Sequence, residues 1–241
     1  MTSSRLPGKV LKDIAGRPML RHVVDRARKA KTIDSVVVAT TTNAADDAIA
    51  SYCQANAIDV YRGSEHDVLD RYYQAAVIFK ADVIVRITAD CPVLDPELVD
   101  RVVEAFLSAD VDFAANRLPP PFKRTYPIGL DVEVCTFKAL NKAWQEATEK
   151  HEREHVMPYF YEVPDRFNII RVENDEDYGD LRWTVDTDKD LELIRKIFAA
   201  FNDRQDFGFK EILNLFDKHP EYILINQQVD AKNFDEVDKR Y

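Results

Sequence analysis

Arg5 and Lys9 stand four residues apart in the run Ser3-Ser4-Arg5-Leu6-Pro7-Gly8-Lys9, with small hydroxyl residues ahead of them and a Pro-Gly turn between them. A loop of small residues exposes backbone N–H groups that can form an anion-binding nest. Arg adds a planar fork for phosphate oxygens, and Lys adds a compact point charge. Together they suit a polyphosphate better than a single carboxylate. Far along the chain, two acids each follow an apolar run of strand length. Asp90 comes after Val83-Ile84-Val85-Arg86-Ile87-Thr88, in Ala89-Asp90-Cys91-Pro92, and Asp186 comes after Leu181 to Val185. Two carboxylates from separate strand ends, completed by phosphate oxygens and waters, suit Mg²⁺, a hard ion that seldom receives an all-protein cage. Taken singly, each acid also reads as a turn or helix-cap residue, and the loop as a basic tail. A metal-bound nucleotide needs both features, so each supports the other.

These residues require a scaffold that delivers strand ends to one edge. Met19, Leu20, Val23, Val24 and Ala27 recur at helical spacing after Gly16-Arg17-Pro18. Ser35 to Thr41 is a β-branched run expected to be a strand buried on both faces. Asn43 is placed to cap a helix through Asn56. A strand is expected near Val60-Tyr61, a loop at Arg62-Gly63-Ser64-Glu65 and a helix from Val68 to Phe79. Asp95-Pro96-Glu97 combines a cap, a first-turn Pro and an acid at the positive end of the helix dipole. Helix and strand alternate, as in a mostly parallel sheet with helices on both faces. In such sheets ligands bind outside the carboxyl ends of the strands, where Asp90 and Asp186 lie.

The alternation breaks at Arg117-Leu118-Pro119-Pro120-Pro121-Phe122-Lys123-Arg124, which is expected to be an exposed excursion reaching Ile128. Gly129 to Val134 then reads as a strand and Thr136 as a cap for a helix through Trp144. Glu152 to Glu162 reads as a helix that Pro158 ends or kinks. Phe167 to Val172 and Leu181 to Val185 are further strands. Thr187 caps a long helix with Asp188 and Asp190 in its first turn. A short helix near Phe209 to Phe216 and a strand at Tyr222 to Ile225 complete the reading.

Hydrophobic residues make up 46% of the 241 residues, enough for the core of one large domain spanning 1–241. The net charge of −10 argues against a general nucleic-acid binder. Cys53, Cys91 and Cys135 are widely spaced and contain no C-x-x-C pair, which points to a reducing compartment and no structural zinc. No apolar run is long enough to span a membrane. A cytoplasmic location is expected.

Several stretches resemble the cytidylyltransferase family, in particular its spore-coat polysaccharide biosynthesis protein F branch. They are Ser4 to Lys9, Val37 to Thr41, Arg62 to Glu65, Asp67 to Tyr72, Thr88 to Pro92, Pro127 to Glu133, Arg153-Glu154-His155-Val156 and Val185-Asp186. Enzymes that activate 3-deoxy-manno-octulosonate and acylneuraminates with CTP are related. The resemblance covers nearly the whole chain. It implies a three-layer α/β/α, Rossmann-like nucleotide-diphospho-sugar transferase fold, CTP as donor, Mg²⁺, and a sugar-type acceptor. It implies that Arg5 and Lys9 hold the triphosphate with Ser3 and Ser4, and that Asp90 and Asp186 bind the metal. Thr40 and Arg71 fall at the nucleoside end. Gly129, Asp131, Glu133, Arg153 and His155 fall on the acceptor side. Relatives pair through an excursion in this region, so a homodimer joined by residues 117–128 is expected, its Leu118, Phe122 and Tyr126 forming an apolar surface.

Two departures carry expectations of their own. Octulosonate-activating relatives have Gly where this chain has Ala89. Family members also have a strand ending Gln-Ala-Arg ahead of Met-Thr-Ser-Ser, whereas this sequence begins at Met1. The expectation is a missing first strand, two unpaired strand edges, and Arg5 and Lys9 on an untethered terminus. Two other functions compete. Asp186-Thr187-Asp188 matches the D-x-D of metal-dependent glycosyltransferases of similar fold, a match that is weak by chance alone. A nucleotide-binding protein without turnover is the other.

Overall fold

The computed structural model describes Ser3 and residues 5–229. The N-terminal loop closes on itself. The Leu6 N–H donates to Ser3 Oγ at 3.4 Å, Lys9 N–H donates to the Leu6 carbonyl, and Gly8 takes the left-handed conformation that turns the chain into a 3-10 helix at Lys9–Leu11. A hairpin of β1 (Asp13–Ile14) and β2 (Arg17–Pro18) leads into α1 (Met19–Ala27), which buries Met19, Leu20, Val23 and Val24 as its spacing predicts.

β3 (Val37–Thr41) and β4 (Asp59–Gly63) pair in parallel through α2 (Asp47–Ala55). α3 (Val68–Phe79) leads to β5 (Val83–Arg86), and α4 (Pro96–Ser108) to β6 (Phe113–Ala115). β7 (Glu133–Thr136) is followed by α5 (Phe137–Glu146), α6 (Lys150–His155), α7 (Pro158–Tyr161) and β8 (Ile169–Arg171). α8 (Asp188–Ala200) and α9 (Phe209–Lys218) come last. The main sheet has the order β5-β7-β6-β8. β7 runs antiparallel to both neighbours and β8 parallel to β6, so β5, β6 and β8 share one direction and only β7 opposes it.

Side-chain alternation along these strands creates the three layers. Val83, Val85, Ala114, Val134 and Ile170 face one core with Leu98, Val102, Ile194, Phe198 and Ile212 from α4, α8 and α9. Ile84, Phe113, Ala115, Cys135 and Ile169 face the other, with Leu69, Leu140 and Phe160 from α3, α5 and α7. Capping is local and follows the sequence. Asn43, Asp95, Thr136 and Thr187 each accept a backbone N–H at a helix start. Each such cap contributes about 1 kcal/mol. Val156, at a positive φ of 72°, separates α6 from α7, and Pro158 opens the second of them. No helix of the described residues is long and apolar enough to cross a membrane.

Four expectations need correction. β3 is only half-buried apart from Thr40. It pairs with β4 alone, and among the described residues no ladder joins it to β5. Leu181 to Val185 is extended but forms no continuous ladder. It is tied by Trp183 N–H to the Ile128 carbonyl at 2.7 Å and by Val185 N–H to the Asp90 carbonyl at 2.9 Å. Tyr222 to Ile225 lies in a 3-10 helix, Pro220–Ile225, whose apolar side chains pack against α8 and α9, and among the described residues no ladder pairs it with a strand. In the 117–128 excursion, Leu118 and Tyr126 are buried within this chain's own two cores. Only its tip, residues 120–123 with Phe122, is exposed, and the Arg171 guanidinium lies over the Phe122 ring.

Gly129 is needed by the backbone. Its φ is +107°, and a Cβ there would lie 2.5 Å from Thr184 N. Gly129→Ala is therefore expected to cost about 2 kcal/mol or more, read as a lower urea midpoint. An unchanged midpoint would contradict this close approach.

Candidate active site

Three segments distant in sequence meet at one cation. Lys9 Nζ donates to Asp90 Oδ2 at 2.7 Å and to Asp186 Oδ1 at 2.8 Å. The loop that carries Lys9 is therefore anchored, correcting the expectation of an untethered terminus. Leu6, buried in the main core, fixes it from the other side. Arg5 Nη2 lies 2.9 Å from Asp186 Oδ2. Ser4 lies outside the described residues, and Ser3 serves the loop's own closure.

Backbone stitching explains why the two acids converge. The Asp90 carbonyl accepts the Val185 N–H and, at 3.1 Å, the Thr184 hydroxyl, so the two strand ends are bound together one residue before Asp186. The Thr88 hydroxyl donates to Asp90 Oδ1 at 2.5 Å, which turns Oδ2 toward Lys9. Asp186 is held from behind. Arg182 Nη2 donates to its Oδ2 at 2.7 Å, while Arg182 Nε donates to the fully buried Asp190 at 2.9 Å. Asp190 also accepts the Asp186 and Thr187 N–H groups and the Asn226 side-chain N–H. One oxygen of Asp186 thus serves the two guanidiniums, and Oδ1 is directed at the gap shared with Asp90.

Burial alone would lower the pKa of Lys9, but Asp90 and Asp186 outweigh it and hold the ammonium above its ordinary range. Burial alone would raise Asp186, but Lys9, Arg5 and Arg182 outweigh it and hold the carboxyl below its ordinary range. The Asp186 contribution to stability is fully present above the ordinary value of 3.8 and is lost as pH falls through the depressed one. The Lys9 contribution is present below 10.5 and is lost as pH rises through the raised value. Thermal melts between about pH 2 and about pH 7 should therefore show an acid limb that Asp186→Asn makes shallower. An unaltered limb would remove Asp186 from this ion cluster. Burial, then Asp90, pushes the Cys91 thiol well up, so it stays protonated beside the site.

The other expected site residues are placed separately. Thr40 is buried and donates to Asp46 at 2.8 Å, at the end of β3. Arg71 is held by the Ser64 carbonyl at 2.5 Å, and its Nε is buried without a partner. Asp131 pairs with Arg124 and lies near enough to Cys91 to push up its pKa. Glu133, buried in β7, pairs with Arg86 opposite it in β5. Arg153 clamps the Asp67 carboxylate with Nε at 3.0 and 3.1 Å and donates to the Trp144 carbonyl, fastening α6 to α3. His155 is half-buried at the end of α6. Arg182, Thr184 and Asn226 escape a reading of motifs alone. Counting back in twos from Asp186 along an extended run would have found Arg182 and Thr184 on its face. Nothing local marks Asn226.

Comparison with known proteins bears on the family and the fold. A family model described as Cytidylyltransferase matches residues 1–227. An uncharacterized protein of Methanocaldococcus jannaschii is 39% identical over 239 residues, 98% of this chain and 95% of its own length. The spore coat polysaccharide biosynthesis protein SpsF of Bacillus subtilis is 30% identical over 230 residues, 92% of each chain. The solved structure of a cytidylyltransferase from Leptospira borgpetersenii has a TM-score of 0.87 and 31% identity, covering 97% of this chain and 95% of that one.

Proposed function

This chain belongs to the cytidylyltransferase family, and we propose that it moves CMP from CTP onto a sugar or sugar-acid hydroxyl, with Mg²⁺, in surface polysaccharide biosynthesis. The supporting observation is the convergence of Asp90 and Asp186 on a single cation. An ammonium within 2.8 Å of both carboxylates means that one small ion can reach both. Among the described residues no group of three His, Cys, Asp or Glu could hold a metal. That donor set fits Mg²⁺, which takes its remaining positions from phosphate oxygens and waters. When bound, the metal supplies neutralising charge at the α-phosphate.

The chain's own groups do the positioning. The acceptor hydroxyl oxygen attacks the α-phosphorus in line, and the bond from that phosphorus to the oxygen bridging the α- and β-phosphates breaks. The electron pair leaves with pyrophosphate, and the hydroxyl proton passes to water. Arg5 and Lys9 meet the charge of that leaving group, with Ser3 in the same loop and Ser4 keeping its expected nucleotide role. Asp90 and Asp186, fixed by the bonds that join their segments, would hold the metal at the reacting phosphate. Thr40 and Arg71 belong to the nucleoside side, and Asp131, close enough to Cys91 to act on its thiol, leads the acceptor side with Gly129, Glu133, Arg153 and His155. A cytoplasmic location and a homodimer joined through the exposed tip at residues 120–123 are part of the same proposal.

The D-x-D alternative is disfavoured by Asp188. It lies exposed in the first turn of α8, and Asp190, not Asp188, is the acid tied to Asp186. Screening the four ribonucleoside triphosphates against a panel of sugar acids for pyrophosphate release tests the assignment. CTP-dependent release is expected. Sugar transfer from a nucleotide sugar, or CTP binding with no release across the panel, would point to one of the two competing functions.

A further inference from the structure

Lys9 stands where the proposed metal has to go. Its ammonium makes hydrogen bonds to Asp90 Oδ2 and Asp186 Oδ1, the two oxygens that face each other across the gap. Mg²⁺ binds oxygen at about 2.0–2.1 Å, so an ion bridging those oxygens would take the volume that the ammonium fills. The two cations exclude one another. Arg5 and Arg182 present no such conflict, because both lie on Oδ2 of Asp186. Lys9 contacts both acids at once. Its flexible four-carbon stem can withdraw without moving the anchored 3-10 helix at Lys9–Leu11.

We propose that Lys9 is an exchangeable counter-ion: it holds the two carboxylates together in the nucleotide-free protein, keeps divalent metal out, and yields only when a triphosphate arrives to receive its ammonium. This rests on the metal assignment above. Without nucleotide, the metal must displace Lys9 from two carboxylates into water. With nucleotide, the displaced ammonium gains the phosphate oxygens, and its loss is offset. A ligand shifts an equilibrium only by its differential affinity for the two states, and here the triphosphate supplies that difference. Metal and CTP therefore bind with positive coupling, and by linkage each strengthens the other equally. The consequence is ordered entry, with the metal arriving together with the nucleotide.

Mn²⁺ binding followed by loss of the free-ion electron paramagnetic resonance signal, with and without CTP, tests this. Wild type should bind Mn²⁺ weakly alone and roughly 5- to 150-fold more tightly with CTP. Lys9→Met should bind Mn²⁺ alone more tightly than wild type and gain less from CTP, while its affinity for CTP falls. Lys9→Gln, which keeps a polar chain without the charge, should behave alike. In the wild type, the Lys9 ε-ammonium ¹⁵N resonance should stay in place with Mg²⁺ alone and move with Mg²⁺ and CTP. If Lys9→Met binds Mn²⁺ no better, or Mg²⁺ alone moves the resonance, the exchange role is wrong and the metal site stands. If Asp90→Asn leaves Mn²⁺ binding unchanged with CTP present, the metal assignment fails, and the exchange role falls with it.

Discussion

Asp90→Asn and Asp186→Asn should each lower CTP turnover by roughly a thousandfold or more. On the proposed metal site each variant loses one of two protein ligands, which costs several kcal/mol of transition-state stabilisation, and each 1.36 kcal/mol is about tenfold in rate. The two variants should differ in stability. Asn at position 90 still offers an oxygen to the Thr88 hydroxyl, so the loop keeps its internal bond. Asn at position 186 leaves Arg5, Lys9 and Arg182 around a neutral amide, with Asp90 still on Lys9 and Asp190 still on Arg182 but the carboxylate that all three share removed. Asp186→Asn should therefore melt at a lower temperature than Asp90→Asn, with both folded at room temperature. Pyrophosphate release at saturating Mg²⁺ and CTP measures the first effect. Near-normal release from either variant would remove that residue from the metal's ligands.

Glu133→Ala should be the most destabilising single change among the residues proposed for the acceptor side. Arg86 and Glu133 face each other across β5 and β7, both largely buried, and form a direct ion pair. Burial alone would lower the Arg86 pKa, but Glu133 outweighs it and holds the guanidinium above its ordinary range. The Arg86 Nε is already buried without a partner. Removing the carboxylate leaves an uncompensated charge in the interior, which costs about 3–5 kcal/mol. For a chain of this size each kcal/mol shifts the melting temperature by roughly 2–4 °C. Arg86→Leu combined with Glu133→Ala should recover much of the loss, because no lone charge remains. A Glu133→Ala protein within about 1 kcal/mol of wild type would contradict the burial argument. It would assign Glu133 to ligand contact without a structural share.

What the sequence made legible was local or followed from the sheet's own geometry. Asp95-Pro96-Glu97 marked a helix start because cap, first-turn Pro and N-terminal acid lie within three residues, and α4 begins there. Thr187 did the same for α8 through its bonds with Asp190. Asp90 and Asp186 stand out because each follows an apolar extended run, although only the first run is a strand, and their carboxylates share one ammonium. What stayed hidden needed partners distant in the chain. The burial of Leu118 and Tyr126 depends on packing against separate cores, so three prolines in sequence suggested exposure where half the excursion turns inward. Tyr222 to Ile225 has strand composition, yet a strand needs a neighbour and the fold gives it helices. The hairpin of β1 and β2 is too short for any period to show. Asn226 reaches Asp190 across 36 residues and Arg182 across 44, with no motif linking them.

The most direct measurement is a crystal structure of the wild-type protein with CTP and Mn²⁺, using the anomalous signal of manganese to locate the ion independently of the phosphates. One peak between Asp90 and Asp186 is predicted, with a CTP α-phosphate oxygen also bound to the ion, Lys9 on the triphosphate and the cytosine on the Thr40 side. A manganese peak that touches neither carboxylate, or CTP bound away from the Ser3 to Lys9 loop, would contradict the account.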